Sequence, residues 1–128
     1  GEEGDKAIQQ AMRLKLSNHL LLREIALAYV AKDKLLIAED LIRRAASIEA
    51  DSSATQKASA FTRKVIADIL LAQNMAAEAV DAYQDIIADE AADDSMRIAA
   101  GEKCAQLLNT LGRYEEMYQL NSILVKLR

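Results

Sequence analysis

The sequence predicts an all-α protein, and three observations carry that prediction. Proline is absent and glycine occurs only four times in 128 residues, so little interrupts a helix. Helix formers dominate while strand formers are scarce, with no Trp and a single Phe. Apolar residues recur at helical spacing almost throughout. Hydrophobic residues make up 52%, enough to fill one core and too many for a disordered chain.

Polar punctuation divides the chain at Ser17-Asn18, Lys32-Asp33-Lys34, Asp51-Ser52-Ser53, Gln73-Asn74, Asp93-Asp94-Ser95 and Leu111-Gly112-Arg113. Seven helices follow, near 5–16, 18–32, 35–49, 55–73, 76–90, 95–111 and 114–127. Ser17 or Asn18, Ser53, and Asp93 or Asp94 suit helix starts, because their side-chain oxygens accept from unpaired N–H groups. Asn74 and Gly112 suit the left-handed residue that ends a helix. Short loops within each pair make neighbouring helices antiparallel.

Three stretches align without gaps, starting at His19, Ala60 and Ile98. Position 8 holds Ala26, Ala67 and Ala105, and position 20 holds Ala38, Ala79 and Met117. Small residues there let two helices approach closely. Larger residues flank them: Ile25, Ile66 and Cys104 at position 7, then Tyr29, Leu70 and Leu108 at position 11. Position 24 holds Ile42, Tyr83 and Asn121, and position 27 holds Ala45, Ile86 and Leu124.

This pattern resembles the tetratricopeptide-repeat (TPR) signature over about 19–128, and Gly112-Arg113-Tyr114-Glu115-Glu116 resembles the usual turn into a second helix. The resemblance implies a right-handed α-solenoid of three antiparallel hairpins preceded by one N-terminal helix. There are departures. Repeat starts lie 41 and 38 residues apart (60−19, 98−60) rather than the regular 34. The proline usual at position 32 is missing, Gly101 replaces a large residue at position 4, and Met117 and Asn121 fit poorly.

The expected organisation is residues 1–18 as a cloning remnant plus an orphan helix, then 19–128 as the repeat domain. The repeats run at about 19–52, 60–93 and 98–128. The opening Gly1-Glu2-Glu3-Gly4 lacks a Met and reads as that remnant, which leaves open whether the chain is a fragment of a larger protein. Helix 5–16 carries Ala7, Ile8, Ala11, Met12, Leu14 and Leu16, a stripe suited to packing on the first hairpin. Ile123, Leu124 and Leu127 on the last helix have no polar capping helix after them, so either end helix is a candidate for self-association.

Several function classes are disfavoured. Net charge −4 is unsuited to nucleic-acid or anionic-membrane binding. Arg13, Lys15, Arg23, Arg43 and Arg44 have no interleaved aromatics and read as members of surface ion pairs. No apolar run approaches the ~18 residues of a membrane span. One cysteine, Cys104, forbids an internal disulfide; this fits a reducing, cytoplasmic setting and is compatible with the periplasm. His19 and Cys104 occupy structural positions in different repeats, so no nucleophile pair, zinc set or phosphate loop can be built. The acidic run Asp89-Glu90-Ala91-Ala92-Asp93-Asp94 lacks the central glycine and closing Glu of an EF-hand and reads as a solvated loop. No catalytic residue, metal or cofactor is expected.

The resemblance implies that first-helix positions 2, 5, 9 and 12 line a concave groove. These are Leu20, Arg23, Leu27 and Val30, then Phe61, Lys64, Asp68 and Leu71, then Ala99, Glu102, Gln106 and Asn109. Lys103 is expected to add a cation beside Arg23 and Lys64. Such an apolar strip edged by cations suits a partner segment, helical or extended, that carries acidic residues. Chaperone-binding family members clamp a C-terminal carboxylate with Lys at position 5 and Asn at position 9. Here those positions are Arg23 and Leu27, so that specificity is not expected. The function expected is a non-enzymatic interaction module that scaffolds a complex. The alternatives are self-association through an end helix, or a helical appendage of a larger enzyme.

Overall fold

The computed structural model describes residues 4–6 and 18–128. The helix expected near 5–16 therefore lies outside the described residues except at 5 and 6, as do Arg13 and Lys15. Residues 4–6 are helical, and six further helices follow: α1 (His19–Ala31), α2 (Leu35–Ser52), α3 (Ala60–Ala72), α4 (Ala76–Ile87), α5 (Asp94–Thr110) and α6 (Tyr114–Leu127). There is no strand among the described residues, and the all-α class is as expected. The chain divides into two compact units, Gly1–Val65 and Ile66–Arg128, with the division inside α3.

One turn recurs three times. Asp33, Asn74 and Gly112 all have positive φ, at 59°, 62° and 74°. Each occupies position 15 of its repeat. At each, the next residue's N–H reaches back to a carbonyl in the last helical turn. Lys34 donates to Tyr29 O at 2.9 Å, Met75 to Leu70 O at 2.9 Å, and Arg113 to Leu108 O at 2.8 Å. A second bond closes each turn, from Asp33 to Val30 O, Asn74 to Leu71 O and Gly112 to Asn109 O. This is the Schellman arrangement, which satisfies carbonyls that a helix end leaves unpaired. It reverses the chain in two residues and so makes each pair an antiparallel hairpin.

In the first unit Asn18 caps α1, its Oδ1 accepting from Leu21 N at 3.3 Å. α1 packs on α2. Ala26, Ala38 and Ala45 are fully buried, with Leu22, Tyr29, Leu41 and Ile42 around them. A methyl at each close-approach point lets the backbones come together, and fully burying each large neighbour contributes roughly 1.5–3 kcal/mol. Arg43 pairs with Glu39 at 2.9 Å and Arg44 with Asp40 at 3.1 Å, one turn apart on α2.

The start of α3 corrects the expected helix 55–73. α2 runs on to Ser52, and Ser53 closes it instead of opening the next helix. Ser59 is the cap of α3, its Oγ accepting from Thr62 N at 3.2 Å. Glu49, ten residues upstream, accepts from Ser59 N at 2.8 Å and from the hydroxyl of the fully buried Thr62. Burial alone would raise the Glu49 carboxyl, but the hydrogen bonds from Thr62 and Ser59, with His19 nearby, hold it below its usual range. A carboxylate against a helix N-terminus is favourable in its own right. The helix expected over 76–90 also ends early, at Ile87.

In the second unit α5 packs on both α4 and α6. Val80, Tyr83, Ile86, Cys104 and Leu108 are fully buried. Arg97 Nε donates to Ile87 O at 2.9 Å, fastening the first turn of α5 to the end of α4. Gly101 now has a reason. A Cβ there would run into the side chain of Leu124 on α6. The large residue that usually stands at position 4 is replaced by a hole, and Leu124 fills it.

Candidate protein-interaction face

Each first helix turns one side away from its own hairpin. On α1, Leu20 and Leu27 are exposed and Arg23 and Val30 half-buried. On α3, Phe61 is exposed and Lys64 half-buried. The structure brings two of these together: the Arg23 guanidinium lies 4.5 Å from the centroid of the Phe61 ring. A cation over an aromatic face is held by the ring quadrupole. That contact fixes Arg23 in place beside two exposed leucines.

The second unit handles its expected site residues differently. Asp68 and Leu71 are half-buried, and Gln106 is exposed on α5. Lys103, expected as an extra cation for a partner, pairs instead with Asp68 at 2.8 Å. The same carboxylate oxygen accepts from the hydroxyl of Tyr83. Burial and the Asp68 charge both raise the Tyr83 phenol, so it stays a donor. Of the remaining first-helix positions, Glu102 pairs with Arg128 at 2.9 Å, and Ala99 is half-buried while Asn109 is exposed.

The other chemistry-bearing residues have structural surroundings. Cys104 is fully buried, and burial pushes its thiol up to about 11. Among the described residues no group of His, Cys, Asp and Glu could hold a metal ion, and no helix is long and apolar enough to cross a membrane. Asp89 Oδ1 accepts from Ala91 N at 3.0 Å, and Asp94 lies 3.8 Å from Arg97, so the acidic run serves its own loop and helix start.

One exposed surface was not anticipated in detail. Of the α6 residues expected to be unprotected, Leu124 is buried and Leu127 half-buried, because they form the side that packs on α5; Ile123 is exposed. The open row is instead Tyr114, Tyr118 and Val125, which are 53%, 66% and 71% exposed. Their three-to-four-residue spacing through Asn121 was a readable signal of one face. On the opposite flank a shallow groove of about 240 Å³ lies between α4 and α6, floored by Ile87, Leu120 and Ile123 with Gln84, Glu116 and Gln119 at its rim. Arg113 pairs with Glu116 at 2.5 Å, and its hydrogen bond lowers the Glu116 carboxyl.

Hairpins with a shared turn and alanines at the crossing points define a helical-repeat protein. Comparison with solved structures places it further. A Podosopora anserina protein assigned as a kinesin light chain, described by its nearly identical TPR-like repeats, matches with a TM-score of 0.64 and 18% identity over 88% of this chain. A single-substitution variant of that protein matches equally well. This chain covers 56% and 55% of those chains, little more than half their length. The fold is therefore TPR-like. No family profile and no curated protein matches the sequence.

Proposed function

We propose that this chain is a non-enzymatic interaction module that assembles a complex by docking a partner segment on the open side of its first helices. Helical-repeat arrays commonly present such surfaces to other proteins. The observation that carries the reading is Arg23 held over Phe61 with Leu20 and Leu27 exposed beside it. An apolar patch with a fixed cation suits an amphipathic or extended segment bearing acidic side chains. In this reading Val30 and Lys64 extend the patch, and Asp68, Leu71, Lys103 and Gln106 form the corresponding surface of the second unit.

The test is capture of partners from the native organism's lysate by the wild type and by Arg23→Glu/Leu27→Asp. Circular dichroism first establishes that both are folded. A partner held by the wild type and lost by the double variant is the expected result. A partner retained equally by both would remove function from this face.

A further inference from the structure

We propose that the outer face of α6 binds a second copy of this chain, the two α6 helices lying antiparallel about a two-fold axis. The first observation comes from the repeat register. Tyr114, Tyr118, Asn121 and Val125 stand where the second repeat has Ala76, Val80, Tyr83 and Ile87. In the second repeat, Val80, Tyr83 and Ile87 are buried, and α5 packs on α4, its Cys104 and Arg97 reaching the Val80 and Ile87 carbonyls. The molecule thus already uses this face once as a helix-docking surface. In the third repeat all four positions are exposed.

The second observation identifies the occupant. A two-fold contact between identical helices requires the face to be complementary to itself when reversed. The α6 row has that property. Tyr114 and Val125, and Tyr118 and Asn121, are disposed about the midpoint between 119 and 120, and Glu115 and Lys126 about the midpoint between 120 and 121, one residue on. Reversal sets a ring against an aliphatic side chain, a phenol against an amide, and an acid against a base at both ends. Glu115 and Lys126 lie on one flank of the row, are exposed, and have no ion-pair partner among the described residues. A parallel two-fold pairing would carry this flank of each copy to opposite sides of the contact and leave both acid–base pairs unmade. Tyrosine is also a residue that protein interfaces favour.

The magnitude is modest. α6 has 14 residues and is about 21 Å long. One helix face of that length sits at the small end of specific interfaces, so the dimer is weak.

Sedimentation velocity on the full chain, from micromolar to near-millimolar concentration, is the test. The wild type is expected to shift from monomer to dimer, and Tyr118→Glu/Val125→Glu to remain monomeric with an unchanged helical spectrum. Glu115→Lys alone and Lys126→Glu alone should each weaken the dimer roughly tenfold or more, since both ends become repulsive. Mixing those two variants, or combining both changes in one chain, should restore it. Glu and Lys at these ends also suit the helix's own dipole, and only the restored mixture separates pairing between copies from that local preference. A wild type that is monomeric throughout would overturn the proposal. So would a dimer indifferent to the α6 variants, or a dimer lost in the single variants and not recovered on mixing.

Discussion

The two units each bury one tyrosine and treat its hydroxyl in opposite ways. Tyr83, in the second unit, donates to Asp68, which Lys103 also holds. Tyr29, in the first, is nearly as deeply buried, yet its hydroxyl has no hydrogen-bond partner among the described residues. Gly4 passes close against that hydroxyl, at a spot where any side chain would collide with it. Both rings fill space equally well. Among the described residues only the Tyr83 hydroxyl is compensated, and a buried hydroxyl left without a partner carries a desolvation cost.

The difference extends to the crossing points. Ala26 is fully buried in the first hairpin, while its repeat equivalent Ala105 is only half-buried in the third. Ala26→Leu is expected to lower stability by up to about 3 kcal/mol through overpacking, and Ala105→Leu by less than about 1 kcal/mol. Urea denaturation followed by circular dichroism measures both. Equal losses would show that the two crossings are alike after all.

The tyrosines provide the sharper test because the signs differ. Tyr83→Phe should cost about 2 kcal/mol, since it removes a hydrogen bond to a charged acceptor. Tyr29→Phe should raise stability by about 1 kcal/mol by deleting an uncompensated hydroxyl. A loss at Tyr29→Phe would mean that its hydroxyl is satisfied in solution. The three turns give smaller effects of the same kind. Gly112→Ala should cost about 1 kcal/mol, because an alanine pays for the left-handed backbone. Asp33→Gly should gain a few tenths of a kcal/mol, the relief of strain being partly offset by a more mobile unfolded chain.

The smallest expected effect depends on pH and reads the Glu49 cap of the first unit. The Glu49 carboxyl is held below its usual range in the folded state, so the unfolded chain binds its proton first as pH falls. Its contribution is present at neutral pH and is lost below about pH 4, as pH passes through the folded-state value. Glu49→Gln should flatten the acid limb of the stability curve measured by urea titration. An unchanged acid limb would show that the cap is not maintained by charge.

Much of the hairpin architecture was legible because small residues at fixed spacing leave little choice. Ala26, Ala38 and Ala45 mark where α1 and α2 must approach, and Asn74 and Gly112 advertise left-handed turns. Asp33 adopts the same turn without a glycine to announce it. The start of α3 was not legible. Ser53 and Ser59 are equally good caps in sequence, and Glu49 decides between them by pairing with Ser59 and Thr62. On the candidate face, Leu20, Arg23 and Leu27 follow from the resemblance to the repeat family, with no local signal of their own. The Arg23–Phe61 stack and the capture of Lys103 by Asp68 were not legible, because each joins side chains far apart in the chain.

The sequence by itself determined the helical class, the three-repeat register and the crossing points, since periodicity and residue size are local quantities. Tertiary structure decided which polar groups are satisfied and which faces stay open. A hydrogen bond or a covered surface needs a partner from elsewhere in the chain, and no single stretch of sequence encodes that partner.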